Sequence, residues 1–190
     1  MFRNNIAFKG ICTIILFITM GVSQVSLTIG DVDTGAGTLN IKMTTIAGCS
    51  SCSDSSFDNK AGCETYGSSD GGFTKDGIWS FDATIDKTTC ESSTTNGDYF
   101  NGEVKGFQFQ LLGITVTGAS GGTAESAGLA TSTSETTYNA STNTQTPSIL
   151  AFSLTGSSIP VASDAILTQV TFTDFDGIGI CFGEDTGGAG

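Results

Sequence analysis

The side chains that could do chemistry are few, and their spacing already rules out most reactions. The 190-residue chain contains no histidine, so neither a Ser-His-Asp nor a Cys-His arrangement can form to activate a nucleophile. Paired carboxylates, such as glycosidases use, remain conceivable. The 19 acidic residues, however, are scattered through polar stretches in which nothing apolar raises a carboxyl pKa. The chain is therefore expected not to be an enzyme. Its carboxylates are better suited to calcium, which takes about six to eight oxygen ligands. Asp174-x-Asp176-Gly177 is a pair of oxygen donors with Glu184 and Asp185 close behind. Asp174, Asp176 and Asp185 are thus the candidate calcium ligands, and no other cofactor is indicated. Asp31-x-Asp33 superficially matches a calcium loop, but Gly35 stands where the third ligand belongs and Lys42 where the bidentate glutamate belongs. For both strings the plainer reading takes precedence, because aspartates that end strands in Asx turns are so common.

A second set of candidates lies between residues 48 and 101, where Tyr66, Phe73, Trp79, Phe81, Tyr99 and Phe100 include the only tryptophan. Aromatic faces stack on the apolar faces of sugar rings, and Trp and Tyr add a polar handle to a flat contact. Trp79, Tyr66, Phe73 and Tyr99 are therefore the candidate ligand-binding residues. The alternative, which takes precedence, is that these rings fill the segment's own small core.

Cysteines mark the same segment. Cys49, Cys52, Cys63 and Cys90 fall inside it, and Cys181 lies near the end of the chain. A zinc site would need a second close pair to match Cys49-x-x-Cys52, and there is none. In an oxidising compartment the four are expected to pair among themselves as disulfides. Of the three connectivities, the one joining Cys49 to Cys52 is disfavoured by its short loop. Each is expected to join Cys63 or Cys90, in an order the sequence leaves open.

Export fits this cysteine usage. Arg3 and Lys9 precede an apolar run from Gly10 to Val22, and Gly21 and Ser23 supply small residues before a cut at Gln24. That run is shorter than the roughly 20 residues a helix needs to cross a bilayer. Residues 1–23 are thus expected to be a signal peptide, with no membrane span in the mature chain, which is expected to be secreted or held at the cell surface. Removal of Arg3 and Lys9 leaves five lysines and no arginine in a chain whose net charge is already −12. Such a polyanion has nothing to neutralise phosphates, which excludes nucleic acid and disfavours anionic membrane surfaces.

The elements that must position these side chains read as strands. Leu39, Ile41 and Met43 alternate to one face, as do Phe107, Phe109 and Leu111. The same reading puts Leu150, Phe152 and Leu154 on one buried face, and Ile166, Val170 and Phe172 on another. Gly, Ser, Thr and Asp clusters separate the runs, and only Ala124 to Gly128 suggests a helical turn. Between Gly48 and Asn101 the chain is polar and weakly repetitive, Asn59-Lys60-Ala61-Gly62-Cys63-Glu64 matching Asp86-Lys87-Thr88-Thr89-Cys90-Glu91. Two copies are too few for a solenoid. The expected organisation is a β-sandwich domain over residues 24–47 and 102–190, interrupted by a disulfide-stapled insert over 48–101. Asn139-Ala140-Ser141 is an N-glycosylation acceptor motif.

The flanks of the insert carry a family resemblance. The string from Asp31 to Leu39, the strand Val104 to Phe109, the loop Val116 to Gly122, Ile149 to Leu154 and the closing strand Ile166 to Phe172 together resemble the cohesin-like domains, relatives of the cellulose-binding-module sandwiches. The resemblance implies an all-β, jelly-roll-type antiparallel β-sandwich of about nine strands. In that family the strands flanking the insert follow one another after a short turn, so the insert should leave and return at nearly one point. The family also continues beyond the position of Ile180-Cys181-Phe182. The resemblance thus implies a further strand, carrying the partner of Cys181, that the 190 residues do not include. Cohesins bind dockerin modules through an exposed sheet face, and relatives bind polysaccharide or build surface layers. The implied function is a secreted, non-catalytic scaffold module recognising a dockerin-like extracellular protein. The alternatives are a carbohydrate-binding module using the insert's aromatics, or a structural subunit of a surface layer or appendage.

Overall fold

A computed structural model describes residues 24–68, 76–139 and 144–183. The expected signal peptide, Phe73, Glu184, Asp185 and part of the Asn139-Ala140-Ser141 motif lie outside them. The described chain is mostly antiparallel β-sheet with two disulfides. Among the described residues no helix is long and apolar enough to cross a membrane.

The described residues open with a hairpin, β1 (Val25–Asp33) and β2 (Thr38–Thr45). Asp33 closes its turn, its Oδ1 accepting from the backbone N–H groups of Gly35 and Ala36 at 2.9 Å each, so the calcium-like string is an Asx turn. Gly37 ends the turn at φ +67°, the left-handed region that favours glycine, and its carbonyl accepts from Phe172 N–H at 2.8 Å. Along β2 every second residue is buried, with Leu39, Ile41 and Met43 inward, as one buried face requires.

The chain then leaves for the insert, which holds β3 (Gly48–Cys52), α1 (Lys60–Tyr66), β4 (Trp79–Asp82), α2 (Lys87–Cys90) and β5 (Asp98–Phe100). It returns through β6 (Gly106–Leu112), β7 (Thr115–Ser120), α3 (Gly122–Ser126), β8 (Ala130–Asn139), β9 (Thr144–Phe152), β10 (Ala165–Thr173) and β11 (Cys181–Phe182). These strands make two four-stranded sheets, in the orders β1-β2-β10-β7 and β11-β6-β9-β8, and a three-stranded sheet β4-β3-β5 in the insert. Inward residues of both larger sheets form one apolar cluster: Leu39, Ile41, Leu167 and Val170 from one, Phe109, Leu111, Ile149 and Ala151 from the other. No described residue of the insert belongs to that cluster.

The strands flanking the insert lie in different sheets, β2 in one and β6 in the other, so they are not the hairpin neighbours that the resemblance implied. Their insert-side ends nevertheless meet. Gly48 pairs with Phe100 across β3 and β5, and a Cβ added to Gly102 would lie 3.7 Å from the Ala47 nitrogen. The segment after β9 collars this base. Val104 and Ile159 exchange backbone bonds of 3.0 and 2.8 Å, and Thr45 N–H donates to Ala162 O at 2.8 Å.

Two alternations run out of the expected phase. On β9, Ile149 and Ala151 are buried while Leu150 and Phe152 face out, and Leu154 beyond the strand is exposed. The register explains this: Ile149 and Ala151 sit opposite the inward-facing Phe109 and Phe107, and side chains directly opposite share a face. On β10 the register shifts between Ile166 and Thr168. That irregularity turns Ile166 outward while Leu167, Val170 and Phe172 stay buried.

Candidate functional site

The insert repeat turns out to be a device for delivering cysteines. Asn59 caps α1 by accepting from Gly62 N–H at 2.8 Å, and Asp86 caps α2 by accepting from Thr89 N–H at 2.9 Å. One turn beyond each cap the cysteine is fully buried. Cys63 bonds Cys52 and Cys90 bonds Cys49. Cys49 and Cys52 are an odd number of residues apart on β3, so they point to opposite faces of the small sheet. One disulfide therefore holds α1 to one face and the other holds α2 to the opposite face. Gly97 packs on the second cystine, where a Cβ would lie 2.6 Å from Cys49 Sγ.

This geometry separates the aromatic candidates. Trp79 pairs with Cys52 and Phe81 with Ser50, which places both rings on the α1 face. Tyr99 pairs with Cys49, which places it on the α2 face. Tyr66, the last residue of α1, is 63% exposed. The structure thus brings Tyr66 and Trp79 to one side and leaves Tyr99 on the other. The buried apolar side chains described in the insert are Cys49, Cys52, Cys63 and Cys90, while Trp79, Phe81, Tyr99 and Phe100 are half-buried.

The carboxylate candidates are engaged in turns. Asp176 Oδ1 accepts from Ile178 N–H at 2.8 Å and Gly179 N–H at 3.4 Å, and Asp174 accepts from the Thr173 hydroxyl at 2.9 Å. Among the described residues no three His, Cys, Asp or Glu side chains cluster as metal ligands would. Hydrogen bonding sets the electrostatics elsewhere too. The Asn40 amide, and after it Lys42, holds the Asp31 carboxyl below its ordinary pKa, with Lys42 Nζ 3.5 Å away. The Ser56 N–H does the same for Asp54, the Thr84 hydroxyl for Asp82 and the Thr89 N–H for Asp86.

The surface that sequence reasoning missed is the outer face of the β11-β6-β9-β8 sheet. Leu150 and Phe152 stand on β9, 37% and 40% exposed, and Leu112 on β6 is 42% exposed. Gly106, Gln108 and Gln110 of β6, Ala130 and Ser132 of β8, and the half-buried Cys181 share this face by register. None of these residues carries a charge, in a chain of net charge −12. The outer face of the other sheet carries charge beside the outward Ile166, with Lys42 between Asp31 and Asp164 at 3.5 and 3.8 Å and the Thr117 hydroxyl donating to Thr171 at 3.0 Å. In the sequence the signal was the unbroken apolar run Ile149-Leu150-Ala151-Phe152, which is apolar in both phases where a single buried face needs only one.

No family model matches this chain, and neither does any curated protein or any solved structure.

Proposed function

We propose that the chain is a secreted, non-catalytic module of cohesin-like, jelly-roll β-sandwich type that recognises an extracellular protein partner. The fold part of this reading is supported by two four-stranded antiparallel sheets that share one core, with the disulfide-held lobe outside it. The function part is carried by one observation: the partly apolar outer face of the β11-β6-β9-β8 sheet, whose described side chains around Leu150 and Phe152 carry no charge. Interface centres are depleted of charge and rich in apolar side chains, while surrounding charge keeps the free protein soluble. Leu150 and Phe152 on the inner strand β9 supply anchors on a rigid element, with Gln108 alongside for hydrogen bonds.

The test replaces anchors by charge. Leu150→Asp and Phe152→Asp are both half-exposed outward positions, so the cooperative melt should stay within a few degrees of wild type. Capture of a protein from the secreted fraction should drop at least tenfold with each, and soluble glycans should not compete with it. Undiminished capture by both variants would contradict this placement of the site.

A further inference from the structure

We propose that the α1 face of the lobe, carrying Trp79, Phe81 and Tyr66, is a stacking site for an uncharged polysaccharide. The site is independent of the sheet face described above, lying on a different sheet and outside the shared core.

The inference starts from what fills the lobe. Its described interior is cystine, and its aromatic rings are left partly in water. Large rings ordinarily supply the core of a segment this poor in aliphatics, because each buries far more apolar area than a cysteine. Here Trp79 and Phe81 lie two residues apart on β4, an edge strand of the small sheet. That spacing puts both residues on one face with their Cα atoms about 6.6 Å apart. The Phe81 ring reaches over Gly48, where a Cβ would lie 2.6 Å from its Cζ.

Tyr66 is carried to the same side by a short covalent route. Trp79 sits opposite Cys52, Cys52 is bonded to Cys63, and Tyr66 follows Cys63 by one turn. The corner is pinned a second time by backbone bonds from Gly67 N–H to Cys63 O at 2.8 Å and from Gly77 N–H to Gly67 O at 3.1 Å. The platform is therefore preorganised, and little ordering cost remains when a ligand arrives.

Ligand chemistry follows from rings and charge. Flat rings match the C–H faces of pyranose units, and the indole N–H and phenol O–H can reach sugar hydroxyls. Among the described lobe residues eight carboxylates face two lysines, a balance that repels uronate or sulfated chains. An uncharged glycan pays no such cost. A cationic peptide could also approach these rings, so the experiment must separate the two.

Trp79 is the only tryptophan, so its fluorescence reads the site directly. The intact protein is titrated with cellohexaose and chitohexaose, and separately with a lysine hexapeptide. Retention in gels containing soluble neutral cellulose and chitin derivatives gives a second readout. A saturable fluorescence change with at least one glycan is expected, unaffected by 0.5 M salt. Retention should weaken at least tenfold in Tyr66→Ala and Trp79→Ala, both with unchanged circular dichroism, and recover in part in Trp79→Phe. Leu150→Asp should leave it intact, so failure here and failure of the sheet-face reading are distinguishable. The proposal is overturned if neither glycan binds, if the aromatic variants are retained like wild type, or if only the lysine peptide shifts the fluorescence.

Discussion

Removing the two disulfides should unfold the lobe and spare the larger sheets. Cys49–Cys90 closes a sequence separation of 41 residues and Cys52–Cys63 one of 11. The chain-entropy relation makes them worth about 4 and about 3 kcal/mol respectively. The smaller loop is nested in the larger, so their joint loss is less than the sum. Even about 3 kcal/mol is large here, because the buried apolar side chains described in the lobe are the four cysteines themselves. The shared core draws on none of the described residues between 48 and 101 and is expected to keep its packing. Two probes separate the outcomes: Trp79 emission reports the lobe, and far-ultraviolet circular dichroism reports mainly the eight strands of the larger sheets. In Cys52→Ser/Cys63→Ser and Cys49→Ser/Cys90→Ser proteins, Trp79 emission should shift red and melt at lower temperature, the second pair being worse. The dichroism melt should stay cooperative and close to wild type. If both probes collapse together in either variant, the lobe supports the core and the reasoning fails.

Truncating the core should behave oppositely. Ile149→Ala, at a fully buried position, should cost roughly 2–5 kcal/mol in the dichroism melt while leaving Trp79 emission in the folded state unchanged. Asn59→Ala removes the α1 cap bond and should lower lobe stability by about 1 kcal/mol, read by the same emission. The carboxyls of Asp31, Asp54, Asp82 and Asp86 are held below their ordinary pKa when folded. The stability they contribute is complete above about pH 3.9 and is lost as pH falls through their lower folded values. Urea midpoints from pH 6 to 2.5, in salt to screen net repulsion, should therefore plateau and then fall, and a rise below pH 4 would contradict this.

Strand content was legible wherever one phase alone was apolar. The spacing of Leu39, Ile41 and Met43 required the strand and its face, and the structure buries all three. It was not legible where both phases were apolar. Ile149-Leu150-Ala151-Phe152 satisfies either face, and only pairing with Phe107 and Phe109 on β6 decides it. A single register shift between Ile166 and Thr168 likewise reassigned Ile166. The candidate surface sits on β9, one of the two strands where local pattern gave way to tertiary pairing. The repeat at Asn59 and Asp86 was visible as a string of residues, but its meaning needed the caps. A four-residue helix such as α2 is too short for periodicity to register. Asx turns at Asp33 and Asp176 were the plainer reading of strings that also suggested calcium, and the hydrogen bonds show those oxygens capping backbone N–H groups.

The central claim is a β scaffold that folds on its own and carries the lobe as an appendage. The ends of the lobe meet at Ala47 and Gly102, and loop closure costs only about 0.6 kcal/mol per doubling of length. Replacing Gly48 to Asn101 by a short Asn-Gly turn, then measuring thermal unfolding by circular dichroism, tests this most directly. A soluble β protein with a single cooperative transition near that of the intact chain is the expected result. An unfolded or aggregated product would show that the lobe is part of the core.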